Sequence, residues 1–176
     1  VAVSGLPETI EALSLKLSDS EEIKVTREKI HDSAFTADSI WLKTGKTGSF
    51  SERLLHRIEG ELITSMQHFS IPPADSDAIL ITTLSGGSGA FGDVAVFKRE
   101  SDKLHEIWSE TLVTPEASVI QVSRDVSPKI SVKHWTKKSA DSQPVQISSE
   151  YKFSNSGTFE LSSASSSSEM PTGIFP

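Results

Sequence analysis

The sequence predicts an all-β protein, an antiparallel β-sandwich or barrel carrying one short helix. Two observations carry the prediction. Apolar and polar residues alternate with period two along most of the chain, most clearly where Val145, Ile147, Ser149, Tyr151 and Phe153 interleave with Gln146, Ser148, Glu150 and Lys152. Roughly nine or ten such short runs are separated by turn residues, the spacing of sandwich and barrel strands. The helix–strand alternation that a parallel, doubly wound sheet requires is missing, and no segment of the sequence repeats another.

The elements follow in chain order. Leu13, Leu15 and Leu17 alternate with Ser14, Lys16 and Ser18, and Ile23 and Val25 with Lys24 and Thr26, so each set faces one side of a strand. Ile40-Trp41-Leu42 precedes a turn cluster at 44–48. The best helix signal is Ser51 to Glu59. Ser51 is a candidate N-cap, Glu52 suits the first turn, Leu54, Leu55 and Ile58 share a helical face, and Gly60 would end it. Leu6 to Glu11 is a weaker helical candidate. Leu62 to Ile71 is a long mixed run stopped by Pro72-Pro73, and Ala78 to Leu84 is a β-branched run. Val94 to Phe97, Leu104 to Trp108 and Val119 to Val122 read as strands, and Ile130, Val132 and His134 alternate with Ser131, Lys133 and Trp135. In the alternating run 145–153, Ile147, Tyr151 and Phe153 fall on the core side.

A chain of 176 residues is one domain long and can bury a core. It divides into an N-terminal segment, 1–30, a β-sandwich, 31–161, and a Ser-rich C-terminal arm, 162–176. The chain begins Val1-Ala2-Val3 without an initiator Met, as trimming, a removed leader or cleavage from a precursor would leave it. With 24 acidic and 17 basic residues the net charge is −7, the wrong sign for gripping phosphate backbones. The absence of cysteine excludes disulfides, thiolate metal sites and a cysteine nucleophile. No apolar run approaches the roughly 18 residues of a membrane-spanning helix.

The motifs that promise chemistry fail on context. Gly87-Ser88-Gly89-Ala90-Phe91-Gly92-Asp93-Val94 fits the kinase glycine-rich loop, but Ser123-Arg124-Asp125 lacks the catalytic-loop histidine and no Asp-Phe-Gly follows. As a dinucleotide loop it would have to open a helix, and Asp93 to Phe97 reads as a strand, so a hairpin turn with Gly89 or Gly92 at positive φ is expected. Gly45-Lys46-Thr47 lacks the earlier glycine of a phosphate loop, since position 40 is Ile40. Asp75-Ser76-Asp77 continues into Ile79 and Leu80 and not into calcium ligands. His31, His56, His68, His105 and His134 show no zinc-ligand pairing, no nucleophile elbow supports a serine triad, and Trp41, Trp108 and Trp135 read as core or interface anchors. No catalytic, cofactor-binding or metal-binding residue is therefore expected, and the chain reads as a non-enzyme.

Several features together resemble the small jelly-roll coat proteins of picorna-like, comovirus-like plant viruses. These are the missing initiator Met, the succession of strands with one early helix, the strand–glycine–strand unit at Ala78 to Arg99, the late strand Val145 to Phe153, and a proline- and aromatic-bearing tail, Met170-Pro171 to Phe175-Pro176. The resemblance spans about Ile40 to Pro176, and the serine run Ser165 to Ser168 departs from it. It implies a jelly-roll sandwich and a structural subunit of an icosahedral virion, cut from a polyprotein and assembled in the host cytoplasm. Its partners would be other coat subunits, with the RNA genome met only indirectly and neither membrane nor small-molecule substrate involved. Met170, Ile174, Phe175 and Pro176 would be its inter-subunit contacts. The alternative is an extracytoplasmic bacterial β-domain, the mature part of a lipoprotein or a periplasmic inhibitor or binding module, in the periplasm or at the cell surface. The Ala78 to Phe97 unit also looks like small lipoprotein β-domains.

Overall fold

The computed structural model describes residues 9–30, 36–85, 91–112, 118–123, 127–136 and 141–167. Among them the regular structure is strand alone. Sheet I is the meander β1 (Thr9–Lys16), β2 (Glu21–Lys29), β3 (Thr36–Lys46) and β4 (Ser49–Glu59). Sheet II is β5 (Glu61–Ile71), β6 (Ser76–Ser85), β7 (Gly92–Glu100) and β8 (Lys103–Leu112). Sheet III is β9 (Val119–Ser123), β10 (Lys129–Thr136), β11 (Val145–Phe153) and β12 (Phe159–Ser167). Every ladder is antiparallel and joins strands consecutive in sequence. The all-β antiparallel expectation is met. The ladders do not show jelly-roll connectivity, which returns strands between sheets through Greek keys.

The three sheets stack with sheet II in the middle. One core lies between sheets I and II, with Ile23, Val25, Ile40, Leu42 and Leu55 facing Ile63, Ile79, Ile81, Phe97 and Leu104. The second lies between sheets II and III, with Phe69, Ile71, Leu80, Val94, Val96 and Leu112 facing Ile130, Val132 and Phe159. Both faces of β6 and β7 are therefore covered. Ala78 to Thr83 and Val94 to Phe97 are buried without interruption, so these strands read as continuous apolar runs where the other strands alternate. A two-sheet sandwich was expected; the central sheet adds a layer because it has no solvent face to give up.

The helix expected over Ser51 to Glu59 is instead β4. Ile40 pairs with His56 and Trp41 with Leu54, which leaves Leu55 as the extra residue of a β-bulge. The bulge resets the parity of the strand. Arg53 faces the core side before it, and Leu55, His56 and Ile58 do so through and after it, a spacing that imitates a helical face. Leu55 is 5% exposed and its neighbour Leu54 is 45% exposed. Nine residues form a marginal helix on their own, and the ladder with β3 is the stronger alternative. Of the weaker candidate Leu6 to Glu11, residues 9–11 begin β1, and the rest lies outside the described residues.

The serine run is also strand. β12 pairs with β11 from Phe159 opposite Phe153 to Ser167 opposite Gln146. Side chains contribute little to that order: Phe159 anchors one end at 4% exposure, and backbone hydrogen bonding carries the rest. Elsewhere the alternations hold except in β10, where Trp135, in phase with Ser131 and Lys133, is 2% exposed, and at Ile147 of β11, which is half-buried and outside the second core. Leu13, Leu15 and Leu17 pack on the first core, and Tyr151 and Phe153 on the second.

One polar node clamps sheets I and II together. Asp38, fully buried, accepts Nε and Nη2 of Arg27, each at 2.8 Å, and the backbone N–H of Ile63 at 2.8 Å. Arg27 Nη2 also donates to the Ile63 carbonyl at 3.0 Å, so the ion pair satisfies the backbone beside the Thr64 bulge of β5. A second clamp joins β2 to the middle sheet. Arg99 donates to Glu21 at 2.8 Å and approaches Asp77 at 3.3 Å, and Asp77 meets Nε2 of His68 at 2.8 Å.

Candidate ligand cleft

At one end of the first core the sheets leave a cleft of about 200 Å³. Parity decides its lining. Ile81 and Thr83 of β6 and Asp93, Ala95 and Phe97 of β7 point to the sheet I side in mutual register, and the bulge between Val96 and Phe97 brings Glu106 of β8 opposite Phe97. Glu61 opens β5 on the same side, and His56 and Ile58 close the cleft from β4. The floor is apolar and the rim carries three carboxylates, a hydroxyl and an imidazole.

Thr83 Oγ1 donates to Glu61 Oε2 at 3.0 Å and accepts the Asp93 backbone N–H at 3.3 Å. Burial pushes the Glu61 carboxyl above its usual range. The Thr83 hydrogen bond opposes that shift, and the nearby Asp93 and Glu106 add to it. Burial pulls His56 below its usual value against the opposing charge of Glu106, and its ring lies 5.2 Å from that of Phe97. The rim thus sets three carboxyl groups and a hydroxyl beside an imidazole whose neutral form burial favours. It offers hydrogen-bond acceptors and negative charge to a basic group entering over an apolar floor. No group of three or more His, Asp or Glu side chains among the described residues is placed to hold a metal ion.

A smaller polar cluster lies between sheets II and III. Trp108 packs on Tyr151 at 4.8 Å, and the Tyr151 hydroxyl is raised by burial first and by Glu110 next. His134 is lowered by burial, opposed by Glu110, and its Nδ1 is buried without a hydrogen-bond partner among the described residues.

The sequence-derived positions are dispersed. Met170, Ile174, Phe175 and Pro176, the expected inter-subunit contacts, lie outside the described residues, as do His31, Gly87 and Gly89. Gly92 is a ladder residue of β7, paired with Leu84 and Leu112. Gly45 belongs to a β-turn hairpin, where at φ 133° an added Cβ would lie 2.1 Å from the Ser49 carbonyl, so the position demands glycine. Asp75, at φ 48°, sits in the β5–β6 turn. Trp41 donates to Thr26 Oγ1 at 2.8 Å on the outer face of sheet I. Sequence reasoning missed the cleft. The available signal was acidic residues at core-facing parity, Asp93 in phase with Ala95 and Phe97 and Glu61 in phase with Ile63.

No protein family, curated protein or solved structure matches this chain. The likeness to comovirus-like coat proteins finds no support there.

Proposed function

We propose that this protein is a non-catalytic β binding module whose cleft between sheets I and II receives a basic side chain of a peptide or protein partner. The observation that carries the reading is the convergence of Glu61, Asp93 and Glu106 on an apolar floor of Ile81, Ala95 and Phe97. Guanidinium and ammonium groups match such a rim, because charge-assisted hydrogen bonds to carboxylates are the strong ones and the alkyl stem covers the floor. A net charge of −7 favours the approach of basic partners. This is the module of the alternative reading, placed in the periplasm or at the cell surface. The test is a chemical-shift titration with short arginine- and lysine-containing peptides at neutral pH. Shifts confined to the cleft and abolished by Asp93→Asn with Glu106→Gln support it, and no shifts at millimolar peptide overturn it.

A second reading, a coat subunit of an RNA virion, is favoured by one feature, the exposed edge of β12 in the C-terminal arm. Native mass decides it: a megadalton shell supports it and a species of one or two chains removes it.

A further inference from the structure

We infer that the protein forms a symmetric homodimer by antiparallel pairing of β12 with the β12 of a second copy, joining the two sheets III into one continuous sheet. The inference does not depend on the cleft or on a shell. Edge strands attract other strands, and proteins guard them with charge, bulges or shortness. Among the described residues the other edges of this stack are more heavily guarded than β12. β1 carries Glu11, Lys16 and a bulge at Ala12; β4 carries four charged residues and the Leu55 bulge. β5 begins with Glu61, bulges at Thr64 and has its Ile63 N–H and carbonyl bonded by Asp38 and Arg27; β8 carries Lys103, Glu106 and Glu110 with a bulge at Ile107, and β9 is only five residues long.

β12 differs. It ends sheet III with β11 as its neighbour among the described residues, and its bulge at Ser162 is followed by regular pairing. Beyond Glu160 it has no charged side chain, and Leu161 to Ser166 are all exposed. The occupant follows from the same comparison. Between two copies, β12 against β12 is the pairing in which neither edge is guarded. An antiparallel twofold through Ala164 would set Ala164 opposite Ala164, Ser163 opposite Ser165 and Ser162 opposite Ser166. Each facing pair over 162–166 is then small and uncharged, and serine hydroxyls can bond across the strands.

Sedimentation or light scattering of the full chain from about 1 to 100 µM tests this. The expected result is a dimer at the upper end, with the backbone amides of 163–166 exchanging more slowly as concentration rises. Ser163→Lys with Ser165→Lys should weaken dimerisation by about tenfold or more, since like charges then face each other across the twofold. Far-ultraviolet circular dichroism checks that the variant keeps its strands, and if it does not, the exchange measurement on the unaltered chain decides. A monomer throughout the range, or a dimer whose 163–166 amides are unprotected, overturns the inference.

Discussion

Replacing Asp38 with Ala should be among the most damaging single changes in this protein. Asp38 is fully buried and accepts three hydrogen bonds, two from Arg27 and one from the Ile63 amide, all at 2.8 Å. The substitution leaves the Arg27 guanidinium beside the core without its partner and the Ile63 N–H without an acceptor. Breaking one side of a buried ion pair costs about 3–5 kcal/mol, and an orphaned buried amide about 1–3 kcal/mol. The two terms share the same carboxylate and do not add. The Arg27 side chain is 24% exposed, so water recovers part of its solvation, and the expected loss is about 3–4 kcal/mol. Asp38→Asn keeps one carbonyl acceptor and should lose less. Glu52→Gln is the contrast, because Lys24–Glu52 lies on the outer face of sheet I with Glu52 42% exposed, and its loss should stay within about 1 kcal/mol. Urea unfolding followed by tryptophan fluorescence measures all three. A loss below about 1 kcal/mol for Asp38→Ala would refute the argument that this node ties sheet I to sheet II.

Other consequences can be checked by the same urea unfolding and by melting temperature measured against pH. Leu55→Ala should cost about 2–5 kcal/mol and Leu54→Ala well under half of that, because the bulge turns only Leu55 inward; equal losses would disprove the bulge. Phe159→Ala should cost about 3–5 kcal/mol through its lost contacts with Phe69, Trp108 and Phe153, whereas the partly exposed Phe153 should cost less. The raised Glu61 carboxyl favours folding while protonated, a contribution present below the ordinary carboxylate range near about 4.3 and lost as pH rises through its folded value. Glu61→Gln should therefore raise the melting temperature at pH 7 and change it little in acid; the reverse trend would reject the shift. His56 has the opposite sign: its neutral form favours folding above about pH 6.5, and this is lost as pH falls through its lowered folded value, so His56→Phe should flatten that acid limb of a melting-temperature profile.

The sequence by itself determined most strands and the side each residue faces. Ile23 and Val25 in β2 and Tyr151 and Phe153 in β11 lie where alternation places them, because the pleat fixes side-chain direction locally. It also carried, unread, the sign of the middle layer: an unbroken apolar run in β6 belongs to a strand without a solvent face. What only the tertiary structure decided was long-range. Whether Ser51 to Glu59 is helix or strand depends on β3 offering a ladder, and the bulge at Leu55 hides the period that would have revealed it. The serine strand β12 carries almost no side-chain signal, since its order comes from backbone bonds to β11. The cleft exists because residues from β4, β5, β6, β7 and β8 meet only when two sheets stack, and stacking is set by the summed burial of whole faces, which no local pattern in the chain encodes.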